Sequence, residues 1–217
     1  MTTNQHCFKS NIKTLASLFF AVYLITSANT VSAKAGQEKA MQQPVDQLHN
    51  ALISIMKSAD SSSFDQRYAS LEDVIDTNFN TPLISRVILS RYWKSLDETA
   101  QTNFIDLFKR LTISTYVDRF DSYENESFEH ISIEPMKKDR FLVKTNLIEA
   151  NGDSVSFNYI VQKNENNWKI ISVIANGIND LSLKRSEYTA VIKDKGFDAL
   201  IENIKNKISV LQSSSSQ

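Results

Sequence analysis

Residues 168–207 read WKIISVIANGINDLSLKRSEYTAVIKDKGFDALIENIKNK. Trp168, Ile170 and Ile174 alternate as on a strand with one apolar face, and Gly177 marks a turn. Beyond it, Tyr188, Val191 and Ile192, then Phe197, Leu200, Ile201, Ile204 and Ile208, recur at helical spacing. Gly196, between the two helices, is placed for a left-handed C-cap. A strand, a glycine turn and two amphipathic helices in that order close an α+β domain, not a doubly wound α/β one.

Upstream of this stretch the apolar period is first 2 and then 3.6. Strands are expected at 127–133, 140–149, 153–162 and 168–175. Asn151-Gly152 reads as a two-residue hairpin turn with both residues at positive φ, and 164–167 as the next turn. Val155, Phe157, Tyr159 and Val161 share one strand face, while Ser154, Ser156, Asn158 and Gln162 share the other with Ile160 out of pattern. Such a meander of about four antiparallel strands has a wet side and an apolar side that helices must cover. Before Tyr123 the chain reads as helical. Pro44 opens a helix carrying Val45, Leu48, Leu52, Ile55 and Ala59, after a polar, frayed stretch at 34–43, and Ser61 to Ser63 end it. Phe64, Tyr68, Leu71 and Ile75 mark a second helix. Thr81-Pro82 starts a third, with Leu83, Val87 and Ile88 inward. Asp97 caps a fourth, with Phe104, Leu107, Phe108, Leu111 and Thr115 on one stripe and Phe120 beyond it.

The first 33 residues read as a secretory signal: Lys9 and Lys13 before the apolar run from Leu15 to Ile25, then Val31-Ser32-Ala33 as a cleavage site. The run is about 11 residues, against the roughly 20 that span a bilayer. Cys7 precedes it, which argues against lipoprotein processing. The expected organisation is a cleaved signal at 1–33, one domain at 34–210 and a disordered tail at 211–217. Without the signal, 22 basic stand against 25 acidic side chains and no cysteine is left, so the fold rests on its own core. No basic stripe offers a nucleic-acid surface. Four glycines, Gly36, Gly152, Gly177 and Gly196, are too far apart for a P-loop or dinucleotide fingerprint. His49 and His130 read as surface or boundary residues, with no metal set around them. No serine sits in a G-x-S-x-G setting, and Glu72 with Asp73, or Asp118 with Asp121, read as solvated helix faces. No cofactor and no enzymatic activity are expected.

The quoted stretch resembles the C-terminal signature of the MlaC family, the toluene-tolerance periplasmic lipid-binding proteins. Gly177 to Leu181 and Lys184 to Ile192 look most like its hopanoid-associated HpnM branch. The likeness continues upstream through Arg91-Tyr92-Trp93-Lys94-Ser95-Leu96 and Phe104 to Leu111, covering 79–208. The resemblance implies a curved antiparallel sheet, like the cone of nuclear transport factor two, wrapped by N- and C-terminal helices around an apolar pocket. It also implies a periplasmic carrier that moves phospholipid, or a hopanoid-type lipid, between an inner-membrane ABC transporter with its substrate-capturing subunit and an outer-membrane lipoprotein complex. Ser90-Arg91-Tyr92-Trp93 stands where relatives commonly carry a glycine, and Gly177-Ile178-Asn179 stands for the usual Gly-Val-Ser, which leaves the two lipids open.

On that basis the expected lipid-binding residues are Leu83, Val87, Phe104, Phe108 and Leu111 on helices, and Val143, Val155, Phe157, Tyr159 and Val173 on strands. Ile178, Leu181, Tyr188 and Ile192 complete the set near the closing segment. Arg86, Arg91 and Arg185 are the candidates to meet a phosphate at the mouth, since guanidinium pairs well with phosphate oxygens. The rival expectations are an enzyme on a similar cone, with an acid or histidine deep in the pocket, and a structural adaptor with a filled core.

Overall fold

The computed structural model describes residues 15–214, with side chains from 35 to 213. The chain divides into two compact units, Met1–Lys39 and Ala40–Gln217. The predicted signal falls in the first, where Cys7, Lys9, Lys13 and the side chains of 15–33 lie outside what is described. Among the described residues no helix is long and apolar enough to cross a membrane.

Among the described residues six helices accompany one sheet. They are α1 (Leu15–Lys57), α2 (Phe64–Asn78), α3 (Thr81–Leu89), α4 (Glu98–Arg119), α5 (Asp180–Lys195) and α6 (Phe197–Ser214), with a 3-10 turn at Ser90–Ser95. The strands β1 (Ser127–Met136), β2 (Arg140–Ile148), β3 (Ser154–Asn164), β4 (Asn167–Ala175) and β5 (Ile178–Asn179) form an antiparallel meander in chain order. This is the expected α+β class, with a fifth strand. Asn176 and Gly177, at φ 49° and 78°, form a two-residue turn that folds Ile178 back onto Ala175.

Pro44 lies inside α1, not at its start, and Met41 upstream of it is 3% exposed, so 34–43 is no frayed lead-in. The proline forfeits one backbone bond, while Met41, Val45, Leu48, Leu52 and Ile55 bury a continuous stripe that outweighs it. Ser63 does not end a helix but caps α2. Its hydroxyl accepts from the Gln66 N–H at 3.3 Å, and the Gln66 side chain accepts from the Ser63 N–H at 2.9 Å.

The inward face of α3 is shifted by one residue from expectation, with Ile84 and Ile88 buried and Leu83 and Val87 only half-buried. The helix starts at Thr81 as expected, and Asn80 caps it, accepting from the Leu83 N–H at 3.1 Å. Its own N–H donates to the Ile170 carbonyl at 3.0 Å, which ties the helix start to the edge of β4 and sets its rotation. Asp97 caps α4 as expected, accepting from Ala100 N–H at 2.7 Å.

The β2–β3 loop is longer than a two-residue turn. Gly152 donates to the Glu149 carbonyl, and only Gly152 takes positive φ, at 87°, while the Asn151 side chain accepts from the Asp153 N–H at 2.8 Å. In β4, Val161 pairs with Ile170 and Ile160 with Ser172, so Ile171 is an extra, bulged residue. The bulge moves Val173 and Ala175 onto the face of Ile170, opposite Tyr159 and Phe157, and sends Ile174 to the other side. That face, with Val143, Tyr159 and Val161, packs into one core with Leu48, Leu52 and Ile55 of α1 and Phe104 and Leu111 of α4. His49 belongs to it and is no surface residue. Its ring stacks on Phe128 at 3.7 Å between centroids, and Nε2 lies 2.9 Å from the Tyr159 hydroxyl.

Gly196 separates α5 from α6 at φ 86° and ψ 171°, outside the left-handed helical well expected of it and in a region open to glycine. The first residues of the expected tail are helical. Residues 211–214 belong to α6, Leu211 packs on the core, and 215–217 lie outside the described residues.

Candidate functional site

Between the sheet face and α3, α4 and α5 the second unit encloses a cavity of about 690 Å³, inside the ~300–1,000 Å³ span of small-molecule sites. One face of α4 supplies much of its wall. Phe108, Leu111, Thr112, Thr115, Tyr116 and Arg119 recur at three- and four-residue spacing, so one stripe runs along it, and Phe120, the C-cap, adds to the wall beyond its end. The sheet adds Leu147, Phe157, Ile171, Ser172, Val173 and Ala175, α3 adds Ile84 and Ile88, and Met56 and Phe79 close the depth.

The lining is sorted by depth. Its buried members are Met56, Phe79, Ile84, Ile88, Phe108, Leu111, Phe120, Ile171 and Ser172, all apolar except one serine. The charged ones, Arg119, Glu124, Glu126, Glu149, Asp180, Lys184 and Lys207, are exposed or half-buried. Lys184 Nζ stands 3.5 Å from an Asp180 carboxylate oxygen. An amphipathic molecule fits such a site, with hydrocarbon inside and a polar end near water. No carboxylate or imidazole reaches the buried part, and among the described residues no group of acidic, histidine or cysteine side chains is arranged to hold a metal. A second hollow, at the β1–β2 tip by Pro135, Met136 and Arg140, is open to solvent.

Of the fourteen expected lipid-binding residues, Phe108, Leu111, Phe157, Val173, Ile178 and Leu181 are brought together on this cavity. The other eight are not on its wall. Phe104, Val143 and Tyr159 are 0% exposed in solid core, and Tyr188 packs edge-on against Phe104. Leu83, Val87, Val155 and Ile192 are half-buried elsewhere. The three arginines also lie off the opening. Arg91 donates to the Tyr92 hydroxyl at 3.0 Å, Arg185 donates to the Ser90 hydroxyl at 3.0 Å, and Arg86 is exposed on α3. The cations at the opening are Arg119, Lys184 and Lys207. Extending the α4 stripe past Leu111 at the same spacing reaches Thr115 and Arg119 from sequence, whereas nothing in the sequence marks Lys207.

A family model described as MlaC protein matches residues 46–206. Among solved structures, the chain is similar to a phospholipid-binding protein from Ralstonia solanacearum, determined in complex with a phospholipid. The TM-score is 0.69 at 18% identity, over 80% of this chain and 97% of that one. The match spans α2 to α5 whole, and with it every cavity residue but Lys207. The chain belongs to the MlaC family.

Proposed function

We propose that this protein is a periplasmic carrier that holds phospholipid by its acyl chains and passes it between membrane complexes. The observation that carries this reading is the cavity's division into a buried apolar interior and a charged opening. Each methylene withdrawn from water contributes about 0.8 kcal/mol, so two acyl chains of ordinary length amount to roughly 20 kcal/mol gross. Only an enclosed space can hold that much hydrocarbon on a protein that stays in solution. The phospholipid held by the similar Ralstonia protein supports the same class of ligand.

Family membership supports the periplasm as location, and residues 1–33 as the signal that is removed on export. It equally supports, as partners, an inner-membrane ABC transporter with its substrate-capturing subunit and an outer-membrane lipoprotein complex. Cations and carboxylates together at the opening favour a phospholipid headgroup over a hopanoid-type lipid, whose rings need no charged neighbours. An enzymatic reading lacks a deep acid or base, and an adaptor reading lacks a use for the hollow.

Native mass spectrometry of the protein purified from a Gram-negative periplasm tests the proposal. A co-purifying phospholipid mass is expected, lost in Thr115→Trp, which fills the middle of the α4 wall. A bare polypeptide mass for the wild type overturns it, and a hopanoid mass replaces the ligand.

A further inference from the structure

The cavity-facing stripe of α4 grades in polarity along its length. Arg119 stands at the opening, where a charge meets water. One turn deeper, about 4.5 Å along the axis, Tyr116 lines the cavity, its ring set edge-on to Phe79 and tilted against Phe120. Its hydroxyl has no hydrogen-bond partner among the described residues. Thr115 and Thr112 follow, but their hydroxyls donate to the Leu111 and Phe108 carbonyls at 2.7 and 2.9 Å, so neither has a proton left for a ligand. Below them are only Leu111 and Phe108.

Tyr116 is half-buried, and a phenol on a cavity wall donates to water until a ligand takes that water's place. Burial first, and then the Asp180 carboxylate, hold this one above its ordinary pKa, so it keeps its proton and remains a donor at neutral pH. The protein fixes the ring between two aromatics and leaves the donor open toward the cavity, one turn below a cation. A ligand that fills the cavity can supply the acceptor that the protein does not.

We infer that Tyr116 is a specificity-determining residue that donates a hydrogen bond to an ester carbonyl of the bound lipid, and so selects ester-linked glycerophospholipids over lipids whose chains lack that carbonyl. This rests on the carrier reading. In an ester-linked glycerophospholipid the order from outside inward is phosphate, glycerol, ester carbonyl, methylenes. The stripe offers cation, phenol, spent hydroxyls and hydrocarbon in that order. A free fatty acid or a dialkyl ether lipid presents no carbonyl one turn below its headgroup and leaves the phenol unmatched.

Delipidated full-length mature protein is loaded from vesicles holding equal amounts of dioleoylphosphatidylethanolamine and its dialkyl ether counterpart, and the bound ratio is read by native mass spectrometry. The wild type is expected to favour the ester about fivefold, the size of one net neutral hydrogen bond. Tyr116→Phe, which keeps the ring packing, is expected to load both equally. Equal loading by the wild type, or an undiminished preference in Tyr116→Phe, overturns the inference while the carrier reading stands. Loading of neither lipid overturns both.

Discussion

The imidazole of His49 is held between Phe128 and the Tyr159 hydroxyl in the core, and burial, followed by His130, lowers its pKa from 6.5 to about 3. The unfolded chain therefore takes up a proton below about pH 6.5 that the folded protein refuses down to about pH 3. The sign follows: stability is complete above that window and falls as pH drops through it. At pH 5 the loss is ~2 kcal/mol, to be seen as a lower urea midpoint than at pH 7, and His49→Gln is expected to flatten the dependence. Gly196 makes a different kind of demand. No heavy atom lies within 4 Å of where its side chain would begin, so Gly196→Ala meets no clash and the whole cost is backbone strain at φ 86°. Thermal unfolding is expected to register about 1–3 kcal/mol of destabilisation with no change in lipid binding.

At the scale of elements, the bulge in β4 decides which residues reach the cavity. Deleting Ile171 removes the extra residue but keeps Ile170 opposite Val161 and Val173 opposite Tyr159, so the inward face is unchanged and the cavity loses one apolar wall residue. The deletion is expected to weaken lipid loading in the mass spectrum without abolishing it, while far-UV circular dichroism still shows a sheet. Ser63→Ala, by contrast, removes only the cap of α2 and is expected to cost ~1 kcal/mol in chemical unfolding. These features also explain what could be read in advance. Helix and strand periods, the caps at Asp97 and the turn at Gly177 leave marks in the residues themselves. A single bulged isoleucine looks like any other strand residue, yet it shifts the face of everything after it. The rotation of α3 hangs on the Asn80 N–H reaching the Ile170 carbonyl, 90 residues away in sequence, so Leu83 and Val87 look as apolar and inward as Ile84 and Ile88. The wall of a hollow and the filling of a core draw on the same residue types, which is why Phe104 and Tyr159 could not be told from Phe108 and Phe157.

For the molecule as a whole, an enclosed apolar space is a source of instability until something fills it, because its lining gives up packing contacts. The delipidated protein is therefore expected to melt below the loaded one, and reloading at a hundredfold excess over Kd to restore ~2.7 kcal/mol. Differential scanning calorimetry of stripped and reloaded protein checks this, and Thr115→Trp is expected to melt at the same temperature whether or not lipid is offered.

The separation of formal charges from the greasy interior has one more consequence, for kinetics. The force between ions in water weakens as electrolyte is added, whereas hydrocarbon contact does not depend on Coulomb forces. Four carboxylates stand at the opening against three cations, so the net force on an anionic donor lipid is repulsive, and raising sodium chloride is expected to speed its capture slightly while leaving the residence time of lipid already inside nearly unaltered.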